Sequence, residues 1–434
     1  MKSTALDFSA FLSDERLGQM VERLKTGDDL LKIVTLLENQ HSDLLSWMFD
    51  AREGHGQGDE ILRDLLLAAA NALNDDGAHL NKSSRTYKFF AAWSIPRIRA
   101  SSFSSAFSVR EVSLSPSARP DLLLVDPQNK FVLVIENKAG AKLGKDQLDK
   151  YRVATAFLDK HWMLKGYDRA FIALNRELYS TADAKKQPSP QWLTMSYDWL
   201  THAAKRASIH VKRGNQAASL VVSYCQQQTV WESEEEAALS ALASELVIDY
   251  ESEVHFLAGL GSKLVKSWLD TPLVTGTDAH LWTFALQNRG VVNTLVEMRD
   301  LLPIQVQLRS RLSKLGEHDV EWTRKYLSVI PNGVRKFVPN IEDKWPIYLQ
   351  VHLQPTEASG ANMFSVSLRF LPKHLPETVN VDEVRKALSA LLPKRETDKT
   401  SLTQLNSLGK GLTYVQTLDL LVEWERKVTA SLPN

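Results

Sequence analysis

The stretch that decides the fold runs from residue 119 to residue 138 and reads RPDLLLVDPQNKFVLVIENK. It contains two apolar segments, Leu122 to Val125 and Phe131 to Ile135, and each has the length and composition of a buried strand. The residues between them, DPQNK, favour tight turns, with the proline preset for the first turn position. The stretch therefore predicts a hairpin of two buried β-strands.

The polar residues of this stretch lie at one end of the predicted hairpin. Asp121 opens the first strand, and Glu136 and Lys138 close the second. Because side chains alternate across a strand, Glu136 and Lys138 point to one face while Asn137 points to the other. The hairpin brings Asp121 beside Glu136, so the sequence predicts two carboxylates and one ammonium at the edge of an apolar sheet.

This group of charges suits metal-assisted hydrolysis of phosphodiesters. Two adjacent carboxylates repel each other, and Mg²⁺, which prefers oxygen ligands, relieves that repulsion. A bound metal ion lowers the pKa of its water and stabilises charge on a phosphoryl oxygen, and a lysine can orient that water. The alternative interpretation is an ordinary hairpin with a solvated, charged end.

The pattern Pro120-Asp121, fourteen residues, then Glu136-Asn137-Lys138 resembles the PD-(D/E)XK nuclease superfamily, which includes restriction endonucleases and repair enzymes. A second segment, ENQHSDLLSWMFDAREGHGQGDEIL at residues 38–62, resembles the N-terminal helical signature of its PDDEXK_4-like bacterial branch. The matching positions are Glu38, His41, Ser42, Leu45, Trp47, Asp50, His55 and Gly56. The resemblance covers roughly residues 28–175.

The resemblance implies an α/β fold: a restriction-endonuclease-like mixed sheet flanked by helices, with an N-terminal helical segment. The pattern of strands and helices in the rest of the sequence predicts a C-terminal α+β domain. It implies that Asp121, Glu136, Lys138 and Gln147 are catalytic. The implied cofactor is Mg²⁺, for which Mn²⁺ can substitute, held by Asp121, Glu136 and Glu38. Gln147 and Tyr151 match a Gln-Leu-x-x-Tyr pattern on the crossover helix, and an i, i+4 pair shares one helix face.

Further residues are candidates for contact with nucleic acid. Arg119, Lys142, Lys145 and Tyr151 form this set, and the two lysines lie near a helix N-terminus, which favours anions. Solvated lysines on a loop are the alternative. Glu111, on the strand before the hairpin, is a weaker candidate for the site. For His41 and His55 we expect structural roles rather than phosphate contacts.

The elements around the hairpin follow from periodicity and capping residues. We predict strands at 107–111, 168–175 and 192–196, a helix from residue 145, and another over 197–206. Ser42 is the predicted N-cap of a helix over 43–50. Residues 81–105 mix basic and aromatic side chains and are predicted as a half-buried strand with a charged face, with nucleic-acid contact as the alternative.

Composition limits the classes of protein that fit. The 434 residues include 52 Lys and Arg and 52 Asp and Glu, so a nucleic-acid role requires a local basic patch. The single cysteine, Cys225, excludes an internal disulfide or a cysteine-based zinc site. Without a secretory apolar segment or an apolar run of membrane-spanning length, we expect a cytoplasmic protein with no membrane partner.

Two domains and two functions are predicted. Residues 1–228 form a nuclease-like domain with N-terminal helices, and residues 229–434 form an α+β domain of unassigned role. The first functional hypothesis is a metal-dependent nuclease, an endonuclease acting on DNA in phage defence, restriction or repair, with homodimerisation by analogy to restriction enzymes. The second is a non-catalytic module that binds nucleic acid or protein on a nuclease-like scaffold.

Overall fold

The computed structural model describes residues 8–26, 31, 36–76, 80–116, 118–138, 145–161, 163–176, 189–229, 231–266, 277–316, 319–323, 325–338, 344–354, 362–391 and 404–433. The chain divides into two compact units. One consists of residues 28–233, and the other combines residues 1–27 with residues 234–434.

The unit formed by residues 28–233 is built on a five-stranded mixed sheet. Its strands are β1 (Phe107–Arg110), β2 (Leu122–Asp126), β3 (Phe131–Lys138), β4 (Asp168–Asn175) and β5 (Leu193–Met195). They lie in sequence order in the sheet; the first three are antiparallel, and β3, β4 and β5 are parallel. The predicted hairpin, the strand at 168–175 and the mixed α/β fold are therefore confirmed.

Helices flank this sheet. They are α3 (Glu38–Phe49), α4 (Glu60–Asp76), α5 (Arg85–Ala92), α6 (Ile95–Ala100), α7 (Lys145–Ala154), α8 (Leu200–Lys212) and α9 (Ser219–Gln228). Helix α7 begins at the predicted residue and connects the parallel strands β3 and β4, while α8 begins three residues later than predicted. The flanking helices bury the sheet on both faces.

All eight residues of β3 are buried, which explains its uninterrupted apolar run. Alternate residues serve two different cores. Phe131, Leu133 and Ile135 join the core that contains α3, α4, α5 and α8. Val132 and Val134 join the core that contains residues of α7. A side chain at the end of β3 therefore faces either the N-terminal helices or α7, according to its position.

Within residues 81–105 the chain forms two short helices, Arg85–Ala92 and Ile95–Ala100, so the strand predicted for this segment is wrong. Ser84 caps α5, because its hydroxyl accepts a hydrogen bond from the Tyr87 amide at 3.0 Å. Pro96 lies in the first turn of α6, a position that suits its fixed φ. The aromatic residues that suggested a strand, such as Phe89 and Trp93, instead pack against Phe131 of β3.

The predicted N-cap at Ser42 is also wrong. Helix α3 begins five residues earlier than predicted, after Leu37, and the Gln40 side chain accepts a hydrogen bond from the Leu37 amide at 2.8 Å. Ser42 therefore lies inside the helix and is buried. Its hydroxyl is free to serve a tertiary contact rather than the helix end.

The other unit contains helices and an antiparallel sheet. The helices are α1 (Phe8–Ser13), α2 (Glu15–Thr26), α10 (Glu234–Asp249), α11 (Glu251–Lys266), α12 (Thr277–Gln287), α13 (Arg289–Glu297), α14 (Leu302–Arg311), α15 (Val381–Ala390) and α16 (Tyr414–Ser431). The strands are β6 (Val320–Trp322), β7 (Tyr326–Val329), β8 (Ile347–Gln354), β9 (Met363–Phe370) and β10 (Gln404–Leu412), in the order β10-β9-β8-β7-β6.

Helices α1 and α2 belong to this second unit, although the sequence predicts residues 1–27 as part of the nuclease-like domain. Phe8, Phe11, Leu17 and Met20 share a core with residues of α10 to α13. The amphipathic pattern of α1 and α2 predicts that one face of each helix is buried. It does not identify the helices against which that face packs. The observed division at 233/234 lies five residues from the predicted one at 228/229.

Candidate active site

The candidate active site lies where β2 begins and β3 ends. Leu122 pairs with Ile135 in antiparallel register, so the next positions outward, Asp121 and Glu136, are opposite each other. The Asp121 Oδ2 atom accepts a hydrogen bond from the Asn137 amide at 2.6 Å, which fixes this carboxylate against the end of β3. Glu136 is fully buried on the face of β3 that is turned toward α7.

Lys138 joins the carboxylates on the same face. Its ammonium lies 3.1 Å from Glu136 Oε1 and 2.8 Å from Glu38 Oε1. Glu38 occupies the first turn of α3, so this helix brings a carboxylate to Lys138. An ammonium has three donors, and these two contacts leave one for a water molecule or a phosphoryl oxygen.

Gln147 and Tyr151 extend the site from α7. The Gln147 side-chain amide donates to Glu136 Oε1 and to the Tyr151 hydroxyl, both at 2.8 Å. The i, i+4 spacing on one helix face therefore places both residues as predicted. Burial raises the pKa of Tyr151, so its phenol stays protonated. Glu136 thus receives donors from Lys138 and Gln147 on a single oxygen.

The other oxygen of Glu136 determines the electrostatics of the site. Glu136 Oε2 is buried and has no hydrogen-bond partner among the described residues. Burial, and then the charge of Asp121, raise the pKa of Glu136 to about 8. Burial also raises the pKa of Asp121, against the opposing effect of the Asn137 amide. Burial lowers the pKa of Lys138, but Glu136 and Glu38 outweigh it and keep the amine charged.

These features fit a divalent cation. Asp121 and Glu136 supply oxygen ligands, and a cation would satisfy Glu136 Oε2 and offset the repulsion between the carboxylates. Within the described part of the chain, no group of three or more His, Cys, Asp or Glu side chains is arranged to hold a metal ion by itself. Water, a backbone carbonyl or a substrate phosphate would complete the coordination.

Asn137 points to the opposite face of β3, where its side chain forms hydrogen bonds with Ser42 and Tyr197. Its side-chain amide donates to Ser42 Oγ at 3.1 Å, and its Oδ1 accepts a hydrogen bond from the Tyr197 hydroxyl. The first bond ties α3 to β3 and so holds Glu38 near Lys138. Sequence analysis missed these roles of Ser42 and Tyr197, because their partner lies 95 and 60 residues away in the chain.

The two histidines of the N-terminal signature have structural contacts. His55 is buried, its Nδ1 accepts from the Gln57 amide at 3.2 Å, and its Nε2 donates to the Asp50 carbonyl at 2.9 Å. His41 lies 3.4 Å from the Gln228 side-chain amide. Burial lowers the pKa of both imidazoles, which therefore stay neutral at pH 7.

The residues predicted to contact nucleic acid are distributed unevenly. Arg119 is exposed and forms an ion pair with Glu111 at 3.4 Å, beside the site rather than in it. Tyr151 is buried at the site, where it accepts a hydrogen bond. Lys142 and the side chain of Lys145 lie outside the described residues, so their contacts with phosphate stay predictions.

The mixed sheet and the convergent Asp, Glu and Lys side chains define a nuclease-like unit, and comparison with known families gives the same result. Residues 28–226 match the model of the PDDEXK_4 family, which is described as PD-(D/E)XK nuclease superfamily. This part of the chain is therefore similar to the PD-(D/E)XK nuclease superfamily, as its motifs predict. No curated protein and no solved structure matches the chain significantly.

Proposed function

We propose that this protein is a metal-dependent endonuclease that hydrolyses phosphodiester bonds of DNA. One observation carries the proposal: Asp121, Glu136 and Lys138 converge at the end of β3, and Glu136 retains a buried oxygen without a partner among the described residues. A scaffold without catalytic function has no use for this pair of carboxylates, which costs stability by burial and mutual repulsion.

Asp121 and Glu136 would hold the cofactor, Mg²⁺ with Mn²⁺ as a substitute, and Glu38 is the proposed third ligand. When bound, the cation neutralises the carboxylates, activates water and stabilises charge on a phosphoryl oxygen. Lys138 uses its remaining donor to orient the attacking water or the scissile phosphate. Gln147 holds Glu136 in place through the 2.8 Å hydrogen bond from α7.

The setting of this reaction is part of the proposal. Phage defence, restriction and DNA repair are cytoplasmic processes that use such nucleases, and a homodimer would cut both strands of a duplex. Among the described residues, no helix has the length and apolar character needed to cross a membrane. Arg119, Lys142 and Lys145 are proposed contacts with the DNA backbone.

The test compares the wild type with Lys138→Ala on circular duplex and single-stranded DNA, with Mg²⁺, Mn²⁺ or EDTA. We expect metal-dependent cleavage by the wild type and none by the variant. The variant should still fold, because Glu136, with its pKa near 8, is largely protonated at pH 7 and so leaves no unpaired buried charge. Lys150→Ala, which removes an exposed lysine from neighbouring α7, is the matched control.

Full activity of Lys138→Ala would refute the assignment of the site. A folded wild type that cleaves no substrate, and whose melting temperature does not rise with Mg²⁺ or Mn²⁺, would refute the enzyme and favour the scaffold. Product topology distinguishes nicking, endonucleolytic and exonucleolytic cleavage. Gel filtration with light scattering tests the dimer.

A further inference from the structure

The sheet of the second unit has one apolar face and one polar face. Alternate residues of β8 and β9, with α14, α15 and α16, form the apolar core. The other residues point away from that core, because direct cross-strand partners share a face. We call this surface the polar face; it includes Glu321, Tyr326, Ser328, Tyr348, Gln350, His352, Ser365, Ser367 and Arg369, with Gln354 and Met363 at one end.

Side chains of the polar face contact one another. The rings of Tyr326 and His352 are 6.0 Å apart. His352 Nε2 donates to Gln350 Oε1 at 3.0 Å, and the Gln350 amide donates to Ser328 Oγ at 3.4 Å. Tyr326 and Tyr348 are half-buried, so part of each ring surface remains accessible, and the Tyr348 ring lies 6.2 Å from that of Trp345.

Arg369 is the unusual residue of this face. It lies directly opposite Tyr348, and its Nε is buried without a hydrogen-bond partner among the described residues. The same described residues provide no carboxylate that pairs with its guanidinium. Burial, and then the Arg369 charge, lower the pKa of His352, so the imidazole stays neutral and Arg369 carries the positive charge. A half-buried guanidinium without a partner favours an anionic ligand, above all a phosphate.

We propose that the polar face binds single-stranded nucleic acid. Unpaired bases stack on Tyr326 and Tyr348, a backbone phosphate pairs with Arg369, and Gln350 offers a hydrogen-bonding amide to base edges. Aromatic rings on a sheet beside a cation are the usual way in which proteins hold unpaired strands. In a duplex, neighbouring base pairs cover the base faces, so a duplex cannot use these rings.

The composition of the polar face favours a nucleic acid over a protein partner. Protein interfaces bury an apolar centre that is depleted of charge. Here the centre consists of Ser328, Gln350 and Ser367. Among the described residues, no carboxylate pairs with Arg369 beside this centre. This binding is separate from the proposed cleavage, because every residue that carries it lies in the unit formed by residues 1–27 and 234–434.

The test measures binding of fluorescent oligo-dT, oligo-U and a duplex DNA of equal length to the full chain in EDTA, which prevents metal-dependent cleavage. Tyr348→Ala is expected to weaken binding of the single strands about tenfold, and Tyr348→Phe to preserve it. Arg369→Ala should weaken binding and reduce the slope of log K against log salt by about 0.7, the value for one phosphate of a single strand. Arg385→Ala, an exposed arginine on α15 of the same unit, is the matched control.

The oligo-dT and oligo-U arms show whether the strand is DNA or RNA. Single-strand binding that equals the wild type in both Tyr348→Ala and Arg369→Ala, with folding verified by circular dichroism, would overturn the proposal. So would absence of single-strand binding by the wild type, or a preference for the duplex. A loss of DNA cleavage in Lys138→Ala has no bearing on these outcomes, so failure of the proposed nuclease is distinguished from failure of this inference.

Discussion

Replacing Glu136 with glutamine should stabilise the metal-free protein at pH 8 and leave its stability at pH 5 nearly unchanged. Burial and the charge of Asp121 raise the pKa of Glu136 from 4.5 to about 8 in the folded protein. Glutamine keeps the size of the side chain and an oxygen that accepts from Gln147 and Lys138, but it carries no charge. The variant therefore removes the electrostatic cost of the buried carboxylate and little else.

The sign and size of the effect follow from proton linkage. Below pH 4.5 the Glu136 carboxyl is protonated in both states, so it costs nothing. Between pH 4.5 and about 8 the unfolded chain releases the proton while the folded chain keeps it, so stability falls as pH rises. At about 1.4 kcal/mol per pH unit, this loss reaches at most about 5 kcal/mol.

Urea unfolding in EDTA across pH 5 to 8 measures this loss directly. The difference in unfolding free energy between Glu136→Gln and the wild type should grow as pH rises. For Glu53→Gln, at an exposed position in the same unit, this difference should not change with pH. Adding Mg²⁺ at pH 8 should stabilise the wild type and not the variant, because a ligand specific for the folded state raises its stability. The reasoning would be wrong if the difference in unfolding free energy between Glu136→Gln and the wild type did not change with pH. It would also be wrong if the variant were less stable than the wild type at pH 8.

Three further predictions test the surroundings of the site. Ser42→Ala should cost about 1–2 kcal/mol in urea unfolding, because it removes the hydroxyl that binds the end of β3. Gly56→Ala should cost about 1–3 kcal/mol, since its φ is +74° and a Cβ would lie 2.8 Å from the Asn215 side chain, whereas Gly58→Ala, at φ +57° with open space, should cost less. Asp121→Asn should abolish the stabilisation by Mg²⁺, which in the wild type reaches about 2.7 kcal/mol of unfolding free energy at a hundred times Kd.

The core of the fold and the site were readable from the sequence because local signals specify them. The alternation of β3 places Glu136 and Lys138 on one face, and the turn at 126–130 sets the register that puts Asp121 opposite Glu136. Helix periodicity places Gln147 and Tyr151 together on α7. Each of these inferences needs contacts among residues that are close in sequence or paired across one hairpin.

The parts that sequence reasoning missed depend on distant partners. Ser42 has the side chain of an N-cap, and only its bond to Asn137, 95 residues away, explains its place inside α3. Tyr197 gives no local signal for its contact with the same asparagine. The helices at 85–100 were missed for a different reason: their capping serine and first-turn proline were present, but their aromatic content favoured a strand.

The division of the chain has a consequence for its synthesis on the ribosome. The unit at 28–233 is continuous, so it can fold as soon as its last residue has emerged. Helices α1 and α2 are made before this unit, but the apolar residues they pack against lie at 239–298 and emerge only after it. Until then Phe8, Phe11 and Leu17 are exposed on the nascent chain. A fragment that begins at residue 234 would lack α1 and α2 and would leave the apolar residues at 239–298 that pack against them exposed. To study the units separately, residues 28–233 should therefore be expressed alone, because cutting the chain at 233/234 separates α1 and α2 from their partners.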